Sequence, residues 1–235
     1  YNSEKFIQQT VYSIKNQSFK KWKLFIIDDN SNSKTKTILK SFKKDKRIKV
    51  IWLSKNKGAA YCRNLAIKKS SSKYIAFIDS DDIWAKKKLE YQLIFMKKFK
   101  YDFTYTFYET FGLKNKKIIT PERYNFSSFI NDTSIATSTV MVTRKVAQNV
   151  KFTNTKICED FFYKCQILKK VGNAFCVTKF LTKYRVRHNS LQSNKVRNLF
   201  WVWKINRNYN KLDFFNSLIS IISISFNSFK KYGFK

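Results

Sequence analysis

The chain has 235 residues, enough for one domain with an appendage, and its 43% hydrophobic and 17% aromatic content, with one Pro and four Gly, excludes a disordered, collagen-like or low-complexity polymer. Lys and Arg total 48 against 15 Asp and Glu, a net charge of +33 that attracts nucleic acid, anionic membranes and phosphorylated ligands alike. Only eight of the 48 are Arg, the residue suited to bidentate base contacts, and the Lys excess accompanies abundant Asn, Ile and Phe, so much of the charge reads as AT-rich coding rather than DNA reading.

Along the chain, apolar Phe6, Ile7, Val11 and Ile14 predict a helix within residues 3–17, and the run WKLFII at 22–27, closed by Asp28 and Asp29, predicts a buried strand. A Lys-rich helix at 33–45, a strand at 47–53, a helix at 57–69 and a strand at 73–78 closed by Asp79 follow. Such alternation predicts a parallel α/β sheet with 22–27 and 73–78 as neighbouring or near-neighbouring parallel strands, and in such sheets ligands bind beyond the carboxyl ends of the strands. After a helix at 85–98 the pattern turns mixed. Strands are expected at 102–107 and 136–143 around a loop-rich segment with Pro121, then a helix at 161–170 opened by Cys158-Glu159-Asp160, and a strand at 174–186.

Five of the 15 carboxylates sit in Asp28-Asp29 and Asp79-Ser80-Asp81-Asp82, directly after apolar strands. Capping of the following helices accounts for one Asp per site and leaves the others unexplained. Clustered carboxylates repel unless protonated or bridged by a cation, and oxygen-only donors suit Mg²⁺ or Mn²⁺ shared with a phosphate. The cysteines Cys62, Cys158, Cys165 and Cys176 form no CxxC pair and, with a single His, no zinc-finger spacing, so thiols in a reducing cytosol are expected. No run of 18 apolar residues predicts a membrane-spanning helix, and the start at Tyr1, without Met or a signal-peptide pattern, is expected to lie inside a longer gene product.

Tyr1-Asn2, LFIIDDNSNS at 24–33, NKGAAYCRN at 56–64, YIAFIDSDDIW at 74–84 and CED at 158–160 together resemble the family 2 inverting glycosyltransferases over roughly residues 1–190. The resemblance implies the GT-A fold of nucleotide-diphospho-sugar transferases. That is an α/β, Rossmann-like, mostly parallel sheet flanked by helices, here with the family's first strand missing ahead of Tyr1. It divides the chain into a domain at 1–190, with a nucleotide-sugar half at 1–99 and an acceptor half at 100–190, and a helical tail at 191–235.

The resemblance also assigns residues. Tyr1 would stack near the nucleotide base and Asp29 would hydrogen-bond it. Asp79-Ser80-Asp81 corresponds to the DxD motif, Asp79 and Ser80 beside ribose and phosphates and Asp81, with Asp79, on a divalent Mg²⁺ or Mn²⁺ ion. Arg63 would support the anionic nucleotide, and Asp160 falls at the catalytic base. The motif begun by Tyr184-Arg185 departs from the family where Val186 and Arg187 stand before His188, which leaves His188 open as a ligand, a phosphate contact or an ordinary surface residue, the last preferred. The implied donor is a nucleotide sugar, UDP-linked, and the implied acceptor a glycan or lipid-linked hydroxyl in cell-surface polysaccharide, lipopolysaccharide or other glycan synthesis.

Three rival readings stand beside this one. A sugar nucleotidyltransferase would want a Gly-rich phosphate loop that four Gly do not provide. A nucleic-acid-binding protein accounts for the charge but leaves ordered carboxylates as a liability beside phosphate. A non-catalytic family member would bind UDP without turnover. In the tail, residues 212–229 place Leu212, Phe215, Leu218, Ile219, Ile222, Phe226 and Phe229 on one side of a helix and Asn and Ser on the other, preceded by LFWVW and followed by Lys230, Lys231 and Lys235. Peripheral contact with an anionic membrane and packing of this apolar face on the domain are both left open.

Overall fold

Amphipathic spacing and side-chain caps build the first half. In the computed structural model, which describes residues 1–188 and 194–232, Ile7, Val11 and Ile14 bury one side of α1 (Ile7–Lys15). The chain then enters β1 (Leu24–Asp28). The Asn32 side chain accepts from the Thr35 N–H at 2.9 Å and so starts α2 (Ser33–Phe42), whose Leu39 and Phe42 are buried. β2 (Ile48–Trp52) pairs parallel with β1, Leu24 opposite Ile48, and α3 (Gly58–Lys69) leads to β3 (Tyr74–Ala76).

The second half is a mixed sheet. After β4 (Ile83–Trp84) and α4 (Lys88–Phe99), which ends at left-handed Lys100, come β5 (Phe103–Gly112), β6 (Lys116–Ile118), β7 (Arg123–Asn125) and α5 (Phe126–Ile130). A 3-10 turn at Thr137–Thr139, β8 (Met141–Thr143), α6 (Arg144–Asn149), α7 (Glu159–Val171) and β9 (Asn173–Val186) complete it. The strand order is β3-β8-β5-β9-β4, with β6 on β5 and β7 on β9; β5 and β9 run parallel and the other pairs antiparallel. The main core lies between this sheet and α7, around Phe103, Tyr105, Phe129, Ile167 and Leu168. Each such fully buried Phe or Leu stabilises by roughly 1.5–3 kcal/mol.

Two expectations need correction. The strand expected over 136–143 is a strand only at its end, because the Thr139 N–H and hydroxyl both turn back to the Ala136 carbonyl, at 2.9 and 2.6 Å, and tighten the preceding residues into the 3-10 turn. Nor do 22–27 and 73–78 share a sheet: β1 pairs with β2 and β3 with β8, leaving both as edge strands. They line opposite walls of a cavity of about 560 Å³, bounded also by Ile7, Val11, Ile14 and Trp84. The alternation reported the order of the strands correctly, but adjacency depends on what stands between them.

That cavity presents two open strand edges and apolar side chains. Tyr1 enters beside the carboxyl end of β1, where the Asn2 N–H donates to Ser31 Oγ at 3.0 Å and the Asn32 N–H to Asn2 Oδ1 at 2.9 Å. A strand leading into Tyr1 parallel to β1 would run through the gap. Appending an apolar strand ahead of Tyr1 is therefore expected to raise the thermal unfolding midpoint by about 5 °C or more, since ~1 kcal/mol moves a domain of this size by ~2–4 °C. An unchanged midpoint would show that the cavity does not take a strand.

The tail closes the fold. α8 (Lys195–Lys204), a π-helical turn at Ile205–Tyr209 and α9 (Phe214–Tyr232) follow β9, and Val202, Ile205 and Ile224 join the main core. The helix expected at 212–229 thus starts and ends slightly later; Lys235, expected to follow it, and the boundary at 190–191 lie outside the described residues.

Candidate active site

The site gathers at the carboxyl ends of β1 and β3 and at the start of α7. Asp28 and Asp29 end or follow β1, both buried. Asp28 Oδ2 accepts from the Ser31 N–H at 3.1 Å. Asp29 accepts from the Lys57 N–H on Oδ1 at 2.7 Å and from the Gly58 N–H on Oδ2 at 2.8 Å, placing its charge on the positive end of α3. Gly58 has φ +85°, a backbone position that favours Gly, and this turns its N–H toward the carboxylate. Tyr1 is exposed beside this loop.

The Asp79–Asp82 turn is held from several directions. Arg63, on α3, donates from one terminal nitrogen to Asp79 Oδ1 and from the other to Glu159 Oε1, both at 2.8 Å, so it joins the turn after β3 to the start of α7 instead of standing free for phosphate. The Ser80 carbonyl accepts from Thr10 Oγ1 at 3.0 Å. Asp81 Oδ2 pairs with Arg187 at 2.8 Å, and its carbonyl accepts from Arg185 Nε at 2.8 Å. Buried Asp82 accepts from Ser138 Oγ at 2.5 Å and from the Arg185 N–H at 2.8 Å. Burial raises the Asp81 pKa against the pull of Arg187, and burial together with the Asp79 charge pushes Asp82 up to about 8.

Asp160 stands in the first turn of α7, where the helix dipole favours a carboxylate. Its Oδ2 accepts from Thr137 Oγ1 and from Lys164 Nζ, each at 2.8 Å, and Lys164 Nζ donates also to the Ile135 carbonyl at 2.7 Å. Burial alone would raise the Asp160 pKa, but the charges of Lys164 and Arg63 outweigh it and hold the group below the ordinary carboxylate range. At neutral pH it is ionised.

The two carboxylate groups meet on one turn. Thr137 donates to Asp160, while the next residue, Ser138, donates to Asp82 and accepts from the Asp79 N–H at 2.9 Å. Sequence reasoning singled out Tyr1, Asp29, Arg63, Asp79, Ser80, Asp81 and Asp160, and missed Thr137, Ser138, Lys164 and Arg187. The first two lay in a segment read as a strand. The last two looked like ordinary members of a basic chain, although Lys164 at four residues after Asp160 is a helical pairing distance that was available to notice. His188 is exposed on a turn, and it is Arg187 that reaches Asp81. All four cysteines are free thiols, each pushed up to about 12 by burial, and so inert as nucleophiles.

Among the described residues no group of three or more His, Cys, Asp or Glu side chains is placed to hold a metal ion by itself. Asp79 and Asp81 remain a pair of carboxylates on one partly buried turn, each held by an arginine. This fits Mg²⁺ or Mn²⁺ in the mode where one or two carboxylates share the ion with ligand phosphates and water.

With this geometry in place, the sequence profile of Glycosyl transferase family 2 matches residues 1–172. The chain belongs to that family. TuaG of Bacillus subtilis, named for teichuronic acid biosynthesis, is 34% identical over 98% of this chain and 94% of its own. WfgD of Escherichia coli, a UDP-Glc:alpha-D-GlcNAc-diphosphoundecaprenol beta-1,3-glucosyltransferase, is 32% identical over 87% of this chain and 81% of its own. The solved structure of S. aureus TarS 1-349 with UDP-GlcNAc superposes with a TM-score of 0.75 at 18% identity, over 98% of this chain and 70% of that one. A mannosyltransferase of Pyrobaculum calidifontis, solved with GDP-Man and Mn²⁺, gives 0.73 at 12% identity over 95% and 66%. The fold is GT-A, and this family 2 chain is a glycosyltransferase with relatives in cell-surface glycan synthesis.

Proposed function

We propose that this glycosyltransferase moves a sugar from a UDP-sugar to an acceptor hydroxyl with inversion at the anomeric carbon, with Mg²⁺ or Mn²⁺ at the Asp79–Asp81 turn. The observation that carries the reading is the Thr137-Ser138 turn, which ties a carboxylate group suited to a diphosphate-bound cation to a separate carboxylate, Asp160, that is ionised at neutral pH. UDP is favoured by the UDP-Glc named for WfgD and the UDP-GlcNAc bound in the TarS structure, and a lipid-linked diphosphate acceptor in cell-surface glycan synthesis by the name of WfgD. Free thiols fit a cytosolic setting for this reaction.

Each residue has a task in this reading. Tyr1 and Asp29 receive the base at the end of β1, and Asp79 and Ser80 the ribose and phosphates, with Arg63 fixing Asp79. Asp81 and Asp79 would hold the cation, which when bound supplies Lewis-acid neutralisation of the departing diphosphate. Asp160 accepts the acceptor hydroxyl's proton as that oxygen attacks from the face opposite the leaving group. General-base help of this kind is worth about 10²–10⁴ in rate. A single displacement inverts configuration and needs no covalent nucleophile.

Calorimetric titration of UDP with and without Mn²⁺ tests the donor side. Mn²⁺ is expected to tighten UDP binding by about tenfold or more, ~1.4 kcal/mol, in the unaltered chain and to have little effect in Asp81→Ala. Equal affinity with and without Mn²⁺ would sink the cation assignment.

A further inference from the structure

Helix α9 is docked with its polar side inward. Turned at 100° per residue, Phe215, Leu218, Ile219, Ile222, Phe226 and Phe229 fall within about 100° of arc. All six are exposed, from 40% at Leu218 to 75% at Phe215. On the opposite side Ser217 and Ser220 are fully buried, and Ile224 enters the core. Packing of the apolar face on the domain, one of the two expectations from sequence, is therefore not what the fold adopts.

Directional bonds fix this orientation. Ser220 Oγ donates to the Ile130 carbonyl at 2.6 Å and accepts from Asn206 Nδ2 at 2.9 Å, Asn227 Nδ2 donates to the Asn131 carbonyl at 3.0 Å, and Lys231 pairs with Asp132. Rolling the helix over to hide its apolar side would leave these groups without partners in a buried setting. The apolar row therefore stays outward, and it needs a cover.

Charge selects the cover. Residues 194–232 carry seven Lys and Arg, at 195, 197, 204, 207, 211, 230 and 231, against the single acid Asp213, and of these Lys231 is taken up by Asp132. Lys230 adjoins the apolar arc, and Lys204 and Lys211 are exposed near the start of the helix. A second copy of this chain would bring like charges together over the apolar contact, whereas an anionic lipid surface offers both phosphate headgroups for the lysines and an acyl boundary for the phenylalanines. No helix among the described residues is long and apolar enough to cross a membrane, so the contact is one of lying on the surface. We infer that α9 is an interfacial docking helix that seats this chain on an anionic bilayer through the outward face of Phe215, Ile222 and Phe226. This goes beyond the transfer reaction and does not rest on it.

The test is co-sedimentation of the 235-residue chain with phosphatidylcholine vesicles containing or lacking phosphatidylglycerol, in low salt and in 0.5 M NaCl (about a 4 Å screening length). The unaltered chain is expected to sediment with phosphatidylglycerol vesicles in both salts. The variant Phe215→Ser/Ile222→Ser/Phe226→Ser is expected to lose at least about tenfold in partition at high salt, with an unchanged circular dichroism melt and unchanged UDP affinity. Lys204→Glu/Lys230→Glu, which keeps the apolar face, should lose binding mainly in low salt. Equal partition of the triple Ser variant would overturn the proposal in favour of charge alone. Absence of vesicle binding, or sedimentation-velocity dimers that the triple variant abolishes while vesicle binding persists, would overturn it in favour of another cover.

Discussion

Asp160→Asn is expected to lower turnover by about 10²–10⁴ while leaving the calorimetric UDP affinity within about twofold. The amide keeps the size of the side chain and can still accept from Thr137, but it cannot take a proton from an attacking hydroxyl. Donor binding is spared because the groups at the ends of β1 and β3 make their own contacts, Asp29 with the start of α3 and Asp79 with Arg63. Near-normal turnover in this variant would refute the role, and Glu159, which Arg63 holds beside it, would be the next carboxylate to change.

Lys164→Met is expected to cost about 3 kcal/mol of folding stability, read as a lower denaturant midpoint and a melting temperature down by roughly 6–12 °C. Lys164 is buried, and removing it strands the Asp160 carboxylate and the Ile135 carbonyl together. The pH dependence carries the sign. Asp160 is held below its ordinary value in the folded chain, so its contribution is present above the ordinary carboxylate range, about pH 4, and is lost as pH falls below that toward the folded value. Without Lys164 the carboxyl pKa rises, and acid loss of activity moves to higher pH. Adding Asp160→Asn to Lys164→Met should recover part of the stability, because no lone charge then remains buried. Full additivity would mean that the pair is not coupled.

How much of this was written in the sequence depends on the range of the forces involved. Local signals served well: the helical spacing of Ile7, Val11 and Ile14, the apolar runs at β1 and β3 and the acids that close them all appear where periodicity and composition put them. What stayed hidden was contact at long sequence separation. Arg63 reaching Glu159, Ser138 reaching Asp82 and Arg187 reaching Asp81 are each decided by how elements cross, and a chain with 40 Lys and eight Arg gives no local hint of which cation is employed. The inverted seating of α9 was hidden for another reason. Amphipathic periodicity shows that a helix has two faces, and only the partners at Ile130 and Asn131 show which face is turned in.

The Thr137–Thr139 turn gears the two carboxylate groups together. Because neighbouring residues of one short turn hold Asp160 and the Asp79–Asp82 loop, and Arg63 also bridges Asp79 to Glu159 beside Asp160, a displacement of one carboxylate group is passed to the other. Under the proposed mechanism, the spacing of the reacting groups moves as one part, and fitting an acceptor of different size falls to the walls around the turn.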